Sequence, residues 1–411
     1  MQITRKVTDD LYWVGANEHR LHLFENIHPI PRGVSYNSYL LFDEKTCLFD
    51  TVDWAGCRQF IENVEALLAG KPLDYLLINH LEPDHAGSID EILVRHPETK
   101  VISNEKAFML MHQFGFHIDG EGRQIEVKEG DTFSFGKHTV TFVSAPMVHW
   151  PEAMVTLDLT NGVLFSADAF GTFGATNGHL WADELPFTNE EGEWLNDARR
   201  YLVNIVGKYG PHVQALLAKA GTVLDKIQIV CPLHGPLWKA NENLLWFIGK
   251  YDKWSKYEPE EKGILIIYAS MYGNTEAAAM NLANKLSEKG FYNYKVYDVS
   301  SNHVSYLISE TFKYSHVVLA SVTYNLGIYP PMHNYLIDMK ALNLQKRTFA
   351  VIENGSWAPK SGDLIEDFLN NELKEMTVLS GRVTVNSSVN ESSDREIDEL
   401  ADALIESVSE E

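Results

Sequence analysis

From residue 258 onward, short apolar runs alternate with amphipathic stretches in a steady rhythm. The runs are "ILIIYAS", "YKVYDV", "SHVVLAS", "TFAVIEN" and "VTVNS", each followed by a segment of helical length. A strand that is apolar at nearly every position must be covered on both faces. Parallel neighbours cannot be joined by a tight turn, so the helical segments serve as crossovers on either side of one sheet. Five such units predict a doubly wound α/β domain built on a five-stranded parallel sheet.

Residues 1–250 keep a different rhythm, with short β-rich segments joined by loops and a few helices. "YNSYLLFDEKTCLFDTV" reads as two strands around a polar turn, and "CRQFIENVEALLAG" carries apolar positions three and four apart, as a helix does. The polar, proline-containing stretch "KYDKWSKYEPEEKG" at 250–263 separates the two rhythms. It predicts one domain over 1–257 and a second over 258–411, which suits a chain of 411 residues.

Charge and cysteine usage narrow the function classes. The formal net charge of −23 argues against a nucleic-acid partner, because phosphate backbones are held by clustered Lys and Arg. Cys47, Cys57 and Cys231 lie far apart and form no C-x-x-C pair, so no disulfide framework is expected and a reducing compartment fits. The opening "MQITRKVTDDLYW" has no apolar signal core, and no apolar run reaches spanning length. A cytoplasmic protein without a membrane partner is the expectation.

The densest chemistry lies in "INHLEPDHAGSI", residues 78–89, where His80, Glu82, Asp84 and His85 fall within six positions. Pro83 is expected to keep this segment out of a helix, so that His80, Glu82 and Asp84 point one way from an extended loop while Asp84 and His85 diverge. Such a loop suits either a hydrogen-bonded anchor or two neighbouring metal ions. Three later segments favour metals. "SAPMVHWPE" places His149, "GVLFSADAFG" places Asp168 and "IQIVCPLHGP" places His234, each at the end of an apolar run. A lone carboxylate there is costly unless it is paired or metal-bound. Four His, two Asp and one Glu are the ligand supply of a two-metal site with one bridging carboxylate. Cys231 reads as a small buried residue rather than a thiolate ligand. Trp150 reads equally as core packing or a lid, and His22, His28, His112 and His117 as surface or supporting residues.

A second constellation follows the strands of the C-terminal half. "ILIIYASMYGNTE" runs from a strand through Ser270, Met271, Tyr272, Gly273, Asn274 and Thr275 into a helix, which reads equally as a capped helix start or as an anion site of hydroxyls and free N–H groups. "LASVTYNLGIYPP" presents Ser321, Thr323, Tyr324, Asn325 and Gly327, and "VIENGSWAP" presents Glu353, Asn354, Gly355, Ser356 and Trp357. These loops meet at the C-terminal edge of the sheet, where such folds bind ligands, and their aromatic and polar groups suit a flat polar ring.

The ordered pattern H-x-E-x-D-H, then His, Asp and His, resembles the metallo-β-lactamase superfamily, with Glu82 where its H-x-H-x-D-H motif has the middle histidine. In that form it is similar to the flavodiiron proteins, and the resemblance covers essentially the whole chain in the same domain order. It implies an N-terminal metallo-β-lactamase-like αββα sandwich and a C-terminal flavodoxin-like domain. It further implies two iron ions, one on His80, Glu82 and His149, the other on Asp84, His85 and His234, with Asp168 bridging. FMN is the second implied cofactor, its phosphate on 270–275 and its ring between the loops at 321–327 and 353–357. The implied reaction takes O2 to water or NO to N2O, with the choice undecided, at the metals themselves and without a separate acid or base. The absence of paired C-x-x-C motifs resembles the two-domain members, which implies an external electron donor such as a rubredoxin. A head-to-tail homodimer, or a tetramer, is implied in the same way. The rival is a zinc metallohydrolase joined to a flavodoxin domain. Glu82 counts against it, since a carboxylate is a harder ligand than imidazole and favours iron, although zinc also accepts it.

Overall fold

The C-terminal rhythm becomes one twisted sheet in the computed structural model, which describes residues 2–188 and 192–410. Strands Tyr294–Asp298, Glu261–Ala269, Tyr314–Tyr324 and Gln345–Asn354 lie side by side in that order, all parallel. The fifth position is shared. Lys374–Val378 pairs with the first half of Gln345–Asn354, and Val383–Val385 with its end. The break falls at Gly381, whose left-handed backbone (φ +96°) turns the chain out of the sheet. A two-residue strand, Gly327–Ile328, folds back antiparallel on Tyr314–Tyr324, so the expected five strands are seven.

Alternation along these strands builds both faces. Ile264, Ile266, Val318, Ala320 and Ile352 pack with Leu282 and Leu286 of helix Asn274–Glu288 and with Ile397, Leu400 and Leu404 of helix Glu391–Glu410. Leu265, Ile267, Val317 and Leu319, one position out of phase, are equally buried on the opposite face. Each such side chain contributes about 1.5–3 kcal/mol by leaving water.

Among the described residues, the N-terminal half stacks two main sheets, one of seven strands and one of six. Leu41, Phe49, Leu77 and Ile102 of the first meet Phe142, Met154, Phe165 and Cys231 of the second in a single core. Phe49 and Phe165 stack across it with ring centroids 3.8 Å apart. Helices cover the outer faces, among them Cys57–Leu68 and Gly210–Gly221. The segments with the candidate ligands all follow strand ends: Tyr75–Leu77, Thr139–Ser144, Val163–Phe165 and Ile229–Cys231.

Two compact units emerge. One holds the chain through Leu202 together with Pro211–Tyr251, and the other holds Val203–Gly210 with Asp252–Glu411. The second unit thus takes in a short piece upstream of the polar stretch at 250–263. Tyr257 explains part of this, since its hydroxyl donates to the Gly207 carbonyl (2.9 Å) and accepts from the Gly210 N–H (3.2 Å).

Candidate functional site

The segment 80–85 departs from the expected extended loop. Pro83–Ala86 is a short helical turn, with Glu82 at its N-cap and Pro83 in its first turn. Proline is tolerated there because that N–H has no intrahelical partner to lose and its φ already suits a helix. The turn swings Asp84 and His85 away from His80 and Glu82, and the four side chains join two separate clusters.

In the first cluster the ligand atoms of His80, Glu82, His149 and Asp168 all lie within 4.8 Å of one another, and in the second those of Asp84, His85 and His234 do. His149 Nε2 is 2.8 Å from Glu82 Oε2 and 3.3 Å from Asp168 Oδ2, and His80 Nε2 is 3.2 Å from that same oxygen. Across the site His85 Nε2 is 3.2 Å from Asp84 Oδ2, and His234 Nε2 is 3.1 Å from it. Asp168 Oδ1 faces this second cluster, 3.2 Å from His85 Nε2 and 3.7 Å from His234 Nε2. One carboxylate therefore divides its two oxygens between the clusters.

The donor set fits two metal ions. Bonds of roughly 2.0–2.2 Å to one ion place neighbouring ligand atoms about 3–3.5 Å apart, close to the separations here. His80 Nε2 and both oxygens of Asp84 and of Asp168 are buried without a hydrogen bond, a costly state unless something accepts their lone pairs. The three carboxylates would neutralise most of the charge of two divalent ions.

In the other unit, a cavity of about 380 Å³ opens at the C-terminal edge of the parallel sheet. Ser270, Met271, Tyr272, Asn274 and Thr275 line one end, Thr323, Tyr324 and Asn325 one wall, and Asn354, Gly355, Ser356 and Trp357 another. Three of the expected residues stand behind this lining. Gly273 (φ +93°) caps the helix Asn274–Glu288 and bonds Ser270 Oγ through its N–H. Ser321 is buried, its carbonyl accepting from Ser361 Oγ, and Gly327 pairs with Tyr324. Val322, Leu326, Ala358 and Ser387 complete the cavity, and no motif in the sequence marks them.

Comparison with known proteins finds a relative for each domain. Residues 34–235 match the model described as ODP family beta lactamase, and residues 266–401 match flavodoxin. The chain is 31% identical over 370 residues to the rubredoxin-oxygen oxidoreductase of Megalodesulfovibrio gigas, covering 90% of this chain and 89% of that one. This chain belongs to the flavodiiron family. The anaerobic nitric oxide reductase flavorubredoxin of Aeromonas hydrophila is 29% identical, over 88% of this chain and 71% of its own length. The solved rubredoxin oxygen:oxidoreductase of Desulfovibrio gigas superposes with a TM-score of 0.90 at 27% identity, over 99% of both chains. As a flavodiiron protein the chain is an oxidoreductase, with FMN and a non-haem diiron centre as its cofactors.

Electrostatics around the flavodiiron centre follow from its burial. Burial pushes the Asp168 carboxyl up, but His80, His149 and His85 outweigh it and hold Asp168 well below the usual carboxylate range. Burial likewise lowers the His149 imidazole, yet Asp168 and Glu82 raise it to about 10. Each shift favours the charged forms of the acids and imidazoles together.

Several residues that shape the site carry little or no local signal. Glu152 is buried and accepts from His80 Nδ1 (2.9 Å) and from the Leu81 N–H (2.9 Å), which turns His80 Nε2 toward the cluster. The Ser35 carbonyl accepts from His234 Nδ1 (2.9 Å) and does the same for that ring. Glu25, at a left-handed position (φ +49°), meets Glu82; partial burial of its side chain first, then that neighbouring carboxylate, raises it to about 8. Glu152 stands three residues after His149 in "SAPMVHWPE", and an acid so near a candidate ligand was the one available hint. His28 lies 3.6 Å from Glu25, so it borders the site, whereas His112 and His117 are exposed. Trp150 sets its ring edge-on to His80 at a centroid distance of 5.6 Å, and Phe114 stacks on it at 6.4 Å. Cys231 is a buried thiol of the core and belongs to neither metal cluster.

Proposed function

We propose that this flavodiiron protein reduces a small diatomic, O2 to water or NO to N2O, at His80, Glu82, His149, Asp84, His85 and His234 with Asp168 as the bridge. Electrons reach it from an external donor such as a rubredoxin through FMN held by residues 270–275, 321–327 and 354–357. The metals belong to the domain over 1–257 and the flavin to that over 258–411. The observation that carries the reading is Asp168, whose two oxygens face different clusters.

The bound cofactors supply electron storage, two electrons on the flavin and two on the metals, which matches four-electron reduction of O2 or two-electron coupling of two NO molecules. The protein's share is positioning. Glu152 and the Ser35 carbonyl fix which ring nitrogen His80 and His234 present. Phe24, Tyr36 and Tyr201 pack edge-on or tilted against His234, with centroids 5.3–5.6 Å away, and keep bulk water from that side. Ser270, Thr275 and the free N–H groups opening helix Asn274–Glu288 suit the flavin phosphate.

The two relatives' names point to different gases, so the deciding assay supplies both. Iron- and FMN-loaded protein is mixed with reduced rubredoxin under O2 and, separately, under NO. Faster O2 consumption with water as product makes it an oxygen reductase, and faster NO consumption with N2O formed makes it a nitric oxide reductase. If the flavin is reduced but neither gas is consumed, the reading is wrong. A head-to-tail homodimer, in which each flavin serves the partner's metals, belongs to the same proposal; a monomer that turns over at full rate in sedimentation and dilution assays would refute it.

A further inference from the structure

Behind the bridging carboxylate lie two adjoining apolar cavities, of about 40 and 50 Å³, beneath helix Gly210–Gly221. Leu164, Phe170, Leu217, Ala220 and Ile227 line both. The larger surroundings are also apolar, and the two polar side chains present are already committed. Ser166 Oγ donates to the Ala169 carbonyl (2.8 Å), and Lys219 Nζ reaches Glu129 (2.7 Å) and the Ser144 carbonyl (2.9 Å), leaving only its stem in the wall.

A water needs roughly 10–15 Å³ and two or more polar partners, and apolar cavities without such partners stay dry. These cavities have the room and lack the partners. A small apolar molecule has the opposite preference, because it gives up no hydrogen bonds on entering.

Their position gives the space a meaning. Ser166, Ala169 and Phe170 line the first cavity, and Asp168 stands between them in the same tight turn. Asp168 is fully buried and faces the histidines, so the turn has the metal ligands on one side and the apolar space on the other. Phe170, at φ +69°, is held by a bond from its N–H to the Tyr251 hydroxyl (2.8 Å) and packs on the Tyr251 ring at 4.8 Å.

We propose that these paired cavities are a docking site for the apolar diatomic substrate, where the gas accumulates one turn of chain away from the diiron ligands. The inference rests on the diatomic reading above and adds where such a gas is held. It predicts that Ala220→Phe, an enlargement at a residue that lines both cavities and belongs to neither metal cluster nor the flavin cavity, slows capture of gas.

The test uses the full-length protein loaded with iron and FMN. Crystals pressurised with xenon report occupancy, and stopped-flow oxidation of the fully reduced enzyme reports the second-order rate constant with O2 and with NO. The expected result is xenon between Phe170 and Ala220 in the wild type and none there in Ala220→Phe. The rate constant with gas should fall at least about three-fold in that variant, with reduction of the flavin by its donor unchanged. Ala220→Val, a milder filling, gives a smaller fall in the same direction and serves if the phenylalanine prevents folding. No xenon in the wild-type cavity, or filled variants that capture gas at the wild-type rate, overturns the docking site while leaving the diatomic reading intact. A wild-type enzyme that consumes neither gas overturns the diatomic reading and the docking site together.

Discussion

At the scale of single residues, the structure separates side chains that would hold metal from those that aim them. Glu152 touches no metal position; it acts through His80. Partners of this kind change metal affinity by roughly 10–100-fold when removed. Glu152→Ala should therefore lose iron to a chelator that many-fold faster than wild type, while Glu152→Gln, which keeps an accepting oxygen for His80 Nδ1, should lose less; iron content after timed chelation measures both. Gly235 is a second sensitive position. At φ +75° it lies so close to Thr172 that a Cβ would come within 2.1 Å of Thr172 Cγ2, and its N–H donates to Ser35 Oγ (2.7 Å). Gly235→Ala should cost about 2–4 kcal/mol of stability and displace the neighbouring His234, read as a lower melting temperature with reduced iron content. For Trp357, 90% exposed at the rim of the flavin cavity, ring stacking worth about 1–3 kcal/mol per aromatic pair would be lost in Trp357→Ala. Titration of the apoprotein with FMN should show the affinity falling accordingly, and an unchanged affinity would mean that the ring stacks elsewhere.

Elements show which parts of the architecture could be anticipated. The strands "ILIIYAS", "SHVVLAS" and "TFAVIEN" were legible because parallel strands buried on both faces are apolar at consecutive positions, a pattern that needs no partner to be seen. The split fifth position was not legible. "LKEMTVLSGRVTVNS" contains two short runs, and only pairing against the two halves of Gln345–Asn354 shows that they share one place. The helical turn at Pro83 is not legible from residue type alone, because proline breaks a helix interior yet is permissive in the first turn. Among the side chains that could hold metal, His80 to His85 and the three strand-end residues stand out in the sequence because each follows an apolar run, whereas the Ser35 carbonyl is backbone and invisible to any residue-type argument. One tie between elements carries its own prediction. His138 is buried, with Nδ1 2.6 Å from Asp158 and Nε2 2.9 Å from Asp10, beside Lys137, which reaches Asp10, and Asp43, which accepts from the His138 N–H. Burial lowers its pKa, but the two carboxylates outweigh that and raise it above the ordinary value. A raised folded-state pKa contributes stability that is fully present below the unfolded value, about 6.5, and is lost as pH climbs through the folded value. His138→Gln should thus be destabilised most in mildly acidic buffer, with the gap to wild type closing as pH rises. Thermal melts across that range measure it, and a gap that widens with pH would contradict the assignment.

For the whole molecule, the net charge of −23 bears on electron delivery. Like charges repel at long range, and salt screens them over about 10 Å at 0.1 M. Flavin reduction by an acidic donor should therefore quicken as salt is added, and by a basic donor slow down; stopped-flow traces at several ionic strengths distinguish the two. The two-part organisation could be read from the change of rhythm near residue 258, but the path of the chain could not. It leaves the first unit after Leu202, returns at Pro211 and leaves again after Tyr251. The residues 203–210 are written in the middle of one half and spent in the other. Asn204 donates to the Ser305 carbonyl (3.1 Å), and Gly207 and Gly210 hold the Tyr257 hydroxyl. The two halves are therefore not beads that a single cut could part. Any attempt to transplant the flavin-binding half onto another protein, by an engineer or by recombination, inherits a missing patch unless the graft brings its own copy of that stretch.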